Sequence, residues 1–227
     1  MSQRGVLFAT WEADADAPVR ELLARAVASL REIHPELPHH VAAQPGGAPW
    51  LDKPRLLAQS PFATTLFLDS DAVVLGRLDF GFEMAERYGL ACCLADNPWQ
   101  RRHLGVQGDA CEYDAGVLFF DAKAKPTFEV WARLAPHMGA PVSSVVDGQV
   151  VHMPGDERLG FAQAVEQSGV APFVLPLNWN LKPRRQRSFF GPIKLWRGDG
   201  AVPALLPALN GYYERPDAIM QFHELEP

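Results

Sequence analysis

The sequence is short of the features that would place it in several large classes. It has three cysteines in 227 residues, an odd number. Cys92, Cys93 and Cys111 lack the paired spacing of a zinc site or of a disulfide framework. They read as buried thiols of a reducing compartment. No apolar run is long enough to span a bilayer, and the N-terminal MSQRGVLFATW carries too short an apolar stretch for a secretory signal. The cytoplasm is therefore the expected location, with no integral membrane contact. Excess base is also missing: the net charge is −6, whereas a general nucleic-acid binder spreads Lys and Arg over one face. No Ser/His/Asp set, internal repeat or low-complexity linker stands out.

What is present suits one soluble α/β domain across residues 1–227, with 48% apolar and 21% charged residues. GVLFAT (5–10) reads as a strand. The helical spacing that follows over 19–33 puts Leu22, Leu23, Ala26, Val27 and Leu30 on one face. A short strand at 40–43 and a Pro- and Gly-rich loop lead to a helix over 51–59. This helix either delivers Lys53 and Arg55 to one edge or presents them as a solvated face. His39 and His40 count as surface residues. Later come a helix before Gly89, a buried strand LACCLA ending at Asp96, and a polar stretch at 100–108. The strand of EYDAGVLFFD and a helix over 126–134 follow. Residues 142–153 have no clear pattern. A helix follows the Pro-Gly at 154–155, with Asp156 near its N-terminus, where a carboxylate is favoured. The strand at 174–177 runs into Asn178, Trp179 and Asn180. The basic cluster of Lys182, Arg184, Arg185 and Arg187 comes next, as an anion site or a solvated loop. A strand in IKLWRG and a helix over 205–213 complete the chain.

The chemistry centres on TLFLDSDAVVLG (65–76). Two apolar runs of strand character flank Asp69, Ser70 and Asp71. An ionised carboxylate in such surroundings must be offset by a metal, a cation or several hydrogen bonds. At the carboxyl end of a strand in an open sheet, the pair would lie where ligands bind. Gly116, in the DAG of the second such strand, lets backbone approach a ligand closely or marks a bulge.

In this order, the DSD strand, the DAG strand, the aspartate near a helix start and the LPLNWN segment resemble the GT-A fold glycosyltransferases. The glycogenin-like and lipopolysaccharide-galactosyltransferase-like retaining enzymes are the nearest kin. KPRLLAQSPFATTLFLDSDAVVLGRL carries the most specific part of the likeness. It implies a Rossmann-like single domain with a mostly parallel central sheet flanked by helices. It also implies an enzyme moving a sugar from a nucleotide-diphosphate sugar, UDP being the expected nucleotide, to an acceptor hydroxyl. The acceptor would be a sugar, a lipid-linked molecule or a protein.

The resemblance further implies that Asp69 and Asp71 hold Mn²⁺ or Mg²⁺, which suits hard oxygen ligands and neutralises a leaving diphosphate. Ser70 lies between them. Thr10 and Trp11 correspond to the nucleoside site, and Lys53 and Arg55 to diphosphate or sugar contacts. Asp114 to Gly116 match the motif lining the sugar, usually Asn-x-Gly. Asn180 belongs with the same site. The donor-site aspartate is Asp156 or, on a rival alignment, Asp147 of Asp147-Gly148-Gln149. Two departures are visible. Arg197 stands where kin have a metal-ligating His, and it could pair with the diphosphate directly. His223 is then the candidate third metal ligand, with Lys182, Arg184 and Arg185 supplying positive charge. The alternatives are a haloacid-dehalogenase-like phosphatase using Asp69 and Asp71, and a catalytically weak sugar-nucleotide binding module.

Overall fold

The computed structural model describes residues 3–11, 17–44, 49–96, 111–138, 142–146, 148–153, 157–198 and 200–225. The alternation of strand and helix in the first half builds a six-stranded sheet in the order β2-β1-β3-β6-β5-β9. Its strands are β1 (Arg4–Trp11), β2 (His39–Gln44), β3 (Thr64–Leu68), β5 (Leu90–Leu94), β6 (Tyr113–Asp121) and β9 (Phe173–Leu175). β6 alone runs against the rest, antiparallel to both β3 and β5. Leu66, Phe67 and Leu68 are fully buried, as expected for a central strand covered on both faces.

Side-chain alternation along the strands feeds two apolar layers. On one face, Leu7, Phe67 and Leu118 pack with Leu57 of α2 (Pro49–Ala58), Trp131 of α4 (Lys125–Met138) and Phe161 of α5 (Glu157–Ser168). On the other, Phe8, Leu66 and Phe119 meet Leu30 of α1 (Ala17–Ile33) and Phe82 of α3 (Asp79–Tyr88). Gly81 lets α3 lie close, because a Cβ there would come within 2.5 Å of the Phe119 ring. Cys92 and Cys93 are buried, and burial pushes both thiols up, whereas Cys111 is exposed, against the expectation of three buried thiols; all three are free.

Residues 142–153, without clear pattern in the sequence, form an antiparallel hairpin of β7 (Val142–Val146) and β8 (Gln149–Met153). Gly148 in its turn has φ +78°, a conformation that glycine supplies without steric cost.

The C-terminal third makes a smaller layer against the sheet edge. β4 (Ala72–Val74), just past the DSD turn, pairs antiparallel with β11 (Leu195–Arg197), so that Arg197 lies opposite Ala72. β10 (Ser188–Phe190) pairs with β12 (Phe222–Glu224). Asn210, on α6 (Leu205–Tyr213), ties this layer together. Its side chain accepts from Ile193 N–H at 2.9 Å and donates to the carbonyls of Leu75 and Ile193 at 2.7 Å each. Replacing it orphans one buried donor and two acceptors. Asn210→Ala should therefore cost about 2–3 kcal/mol in denaturant unfolding, whereas an unchanged midpoint would show that these bonds do not fasten β11.

Candidate active site

β3 ends at Leu68 and the chain turns at once, Ala72 N–H donating to the Asp69 carbonyl at 3.1 Å. Because β6 runs antiparallel to β3, its first residues lie beside the end of β3, and Asp69 N–H donates to Gly116 O at 3.0 Å. The two motifs distant in sequence thus share one edge. β11 adds Arg197 to them: its backbone N–H donates to Leu181 O at 2.8 Å, and Gly198 N–H to Asp71 O at 3.1 Å.

The guanidinium of Arg197 sits between the two carboxylates of the DSD triplet. Nε donates to Asp71 Oδ1 at 2.6 Å and an Nη2 hydrogen to Asp69 Oδ2 at 2.8 Å. Nη1 faces Asn180 Oδ1 at 3.4 Å and Asp114 Oδ1 at 3.6 Å. The remaining Asp69 oxygen accepts from Lys53 Nζ at 3.1 Å, and that ammonium lies 4.7 Å from the centre of the Phe67 ring. Asp114 also accepts from Gly116 N–H at 2.9 Å and pairs with Lys182. Lys182 and Arg185 both reach Asp96, at 3.4 and 3.5 Å. Lys53, Asp114, Asn180 and Arg197 are buried, with Arg197 only 6% exposed.

Such charges persist in the interior because each is paired. Burial alone would push Asp69 and Asp114 up, but the neighbouring cations overcome it. Lys53 and Arg197 hold Asp69 below its ordinary value, and Arg197 and Lys182 hold Asp114 far below the carboxylate range. Arg197 is depressed by burial and raised more strongly by Asp69, Asp71 and Asp114.

Gly116 is required by this packing. A Cβ at that position would lie 2.2 Å from both Arg197 Nη1 and Asp69 Oδ2. The close approach expected at this glycine is real, and the group approached is the protein's own ion pair.

Two cavities open on either side of Asp71 and Arg197. One, of about 270 Å³, is lined by Ala9, Trp11, Asp69, Ser70, Asp71 and Arg197. The other, of about 490 Å³, is bordered by Leu22, Lys182, Arg184, Arg185 and Gly200 together with the same Asp71 and Arg197. Trp11 Nε1 is buried and has no hydrogen-bond partner among the described residues, which leaves a donor beside the smaller cavity.

Several sequence-based assignments need correction. Thr10 does not line either cavity, because alternation along β1 puts Ala9 and Trp11 on one face and Thr10 on the other. Arg55 does not accompany Lys53. Two helical positions on, it points elsewhere, is 66% exposed, and pairs with Asp52 at 3.7 Å. His223 is not beside the DSD pair as a third ligand. It pairs across the β10–β12 ladder with Phe189, and its Nε2 lies 2.6 Å from the Tyr213 hydroxyl. Asp156 and Asp147 lie outside the described residues. Asp96 also belongs to this cluster, and its position at the end of a buried strand is the same signal that singles out Asp69.

A divalent cation does not fit between Asp69 and Asp71 as they stand. Three of their four oxygens accept from Lys53 or Arg197, and a guanidinium fills the space between them. The one group of three potential ligands among the described residues is His34, Glu36 and Asp79, whose ligand atoms lie within 4.8 Å of one another. These atoms are already engaged. His34 Nε2 accepts from Leu78 N–H at 2.8 Å, so Nδ1 donates to Glu36 at 2.9 Å, while Arg77 pairs with Glu36 and Asp79.

No protein-family model and no curated protein sequence matches the chain. Solved structures do. The apo form of mouse xyloside xylosyltransferase 1 superposes with a TM-score of 0.55 at 13% identity, over 90% of this chain and 99% of that one. A glycosyltransferase involved in glycosylation of the major capsid of PBCV-1 gives 0.53 at 12%, over 90% and 97%. The galactosyltransferase LgtC, in complex with donor and acceptor sugar analogues, gives 0.50 at 14%, over 88% of each. The chain has the GT-A fold. At these identities the likeness is one of fold. Within this GT-A chain, the ion cluster lies at the carboxyl edge of the sheet, where open α/β sheets bind ligands.

The cluster makes two measurable demands. Gly116→Ala should lower unfolding stability by about 1–3 kcal/mol through overpacking, and equal stability would mean that Arg197 has room to move. The acid response has a definite sign. Carboxyls depressed in the folded state contribute stability above their unfolded value of about 3.9, and that stability is lost as pH falls through the lower folded values. Urea unfolding should therefore weaken steadily below about pH 4, with a smaller slope in Asp114→Asn. The same slope in both proteins would remove Asp114 from the account.

Proposed function

We propose that the protein transfers a sugar from a nucleotide-diphosphate sugar, with UDP as the nucleotide, to an acceptor hydroxyl. The observation that carries this reading is Arg197, the buried cation shared by both cavities at the ligand-binding edge of a GT-A sheet. The difficult moment in such a transfer is departure of the nucleoside diphosphate with its growing negative charge. A fixed cation in a low-dielectric site stabilises that charge without reorganising. Arg197, held by Asp69 and Asp71, has that character, and Lys182 and Arg184 extend positive charge along the larger cavity. Ser70 and Trp11 border the smaller cavity, which suits the nucleoside, Trp11 offering an aromatic face and an N–H. Asp114 and Asn180 contact Arg197 and set its orientation.

The resemblance to retaining enzymes implies retention of configuration, with the leaving diphosphate taking the acceptor proton. Asp156 or Asp147 is the candidate donor-sugar aspartate. The acceptor is a sugar, a lipid-linked molecule or a protein; no described helix is long and apolar enough to cross a membrane. A cytoplasmic location accords with three free cysteines. The phosphatase alternative asks Asp69 to attack phosphorus, yet both its oxygens are tied to cations.

The test is release of UDP from a panel of UDP-sugars, with and without sugar acceptors. Wild type should release UDP, and Asp71→Ala, which frees Arg197 Nε, should be slower by about 10²–10³. Full activity in that variant would remove the DSD motif from the mechanism. UDP binding without turnover would favour the binding-module reading.

A further inference from the structure

The structure assigns to Arg197 the position that a divalent cation would need, and we infer that this site binds its nucleoside diphosphate without a metal ion. The inference rests on the nucleotide-sugar reading above and deepens it. An ion bridging Asp69 and Asp71 must reach an oxygen of each without meeting the cations already seated against them. Here both oxygens of Asp69 and one of Asp71 accept charge-assisted hydrogen bonds, leaving a single oxygen of Asp71.

Displacing the guanidinium is costly. Its backbone is fixed on both sides, by the ladder to β4 and by the bond to Leu181 O. The backbone of Gly116 lies close against it, since a Cβ added there would fall 2.2 Å from Nη1. A guanidinium swung away from both carboxylates would be a buried cation stripped of its strongest partners, which is the costly way to break such a pair. An ion entering from the cavity side would instead face that guanidinium at close range, as a like charge.

Charge bookkeeping leads to the same place. Asp69, Asp71 and Asp114 are matched by Lys53, Lys182 and Arg197, so the inner cluster is neutral with no metal added. Arg184 and Arg185 line the adjoining cavity, with Asp96 beside Arg185. In this arrangement the DSD carboxylates act as holders of the cation that serves the diphosphate.

The experiment is calorimetric titration of the wild-type protein with UDP, once in EDTA and once in Mn²⁺. The expected result is the same Kd within about threefold. A gain of about tenfold or more with Mn²⁺ overturns the inference while leaving the glycosyltransferase reading intact. UDP release that stops in EDTA does the same. Failure to bind UDP, GDP or ADP under either condition overturns the nucleotide-sugar reading, and this inference with it. Arg197→His supplies an independent arm, since imidazole can ligate a cation but reaches less far. This variant should bind UDP at least about tenfold more weakly in EDTA and recover with Mn²⁺, thermal unfolding in Mn²⁺ checking that it is folded. Undiminished binding by a folded variant in EDTA would show that Arg197 is not the cation in use.

Discussion

A single buried guanidinium gathers four partners from three separate parts of the chain. Arg197 comes from β11, Asp69 from the end of β3, Asp71 from the turn into β4, Asp114 from the start of β6, and Asn180 from the segment after β9. Removing Asp114, the buried carboxylate of the three, leaves excess positive charge in a dry place, an error of about 3–5 kcal/mol for a buried pair. Replacing the whole cluster by apolar groups would not carry that penalty. Its presence is therefore poor evidence for stability in itself and good evidence for a demand on charge at this edge of the sheet.

Topology makes the cluster possible. If β6 ran parallel to β3, Asp114 would lie at the far edge, and Arg197 would face only the DSD pair. Reversal of that one strand sets Gly116 beside Asp69, and the second reversal, β11 against β4, sets Arg197 opposite Ala72. Asn210 then secures the loop before β11 to the chain following β4, so that α6 supports a charge it does not touch. Both hydrophobic layers enclose the strands whose ends bear the aspartates, which is why the carboxylates are close to fixed before any ligand arrives.

Much of this was legible in local pattern. The strand-helix alternation, the DSD turn between apolar runs, the DAG entrance to β6 and the strand bearing Arg197 all lie where periodicity and composition indicate. What failed was side-chain direction. Lys53 and Arg55 are equally basic in sequence, but two positions on a helix differ by more than a right angle, and only Lys53 faces inward. Thr10 and Trp11 are adjacent, yet strand alternation separates them. The Asp-Gly dipeptide between valine-rich runs is a hairpin signal, but no apolar-polar alternation accompanies it. His223 gave no sign that Tyr213 would claim it. The pairing of Arg197 with Asp69 spans more than a hundred residues, and no local pattern encodes it.

The division of labour among the cations follows from how firmly each is held. Arg197 and Lys53 are enclosed, with backbone or helix fixed behind them. Lys182 and Arg185 stand on a turn closed by the bonds of Arg185 N–H and Gln186 N–H to Lys182 O, are more exposed, and share Asp96. An arriving phosphate can take hydrogen bonds from Arg185 at the cost of its share of Asp96, while Lys182 keeps its pair with Asp114. Moving Arg197 would instead expose Asp69, Asp71 and Asp114 to one another without their common counter-charge. The rigid cation therefore sets the position at which negative charge is favourable, and the turn adjusts to it. That ordering, with the inner charge fixed first and the outer ones free to rearrange, permits a site to discriminate by geometry while still releasing its product.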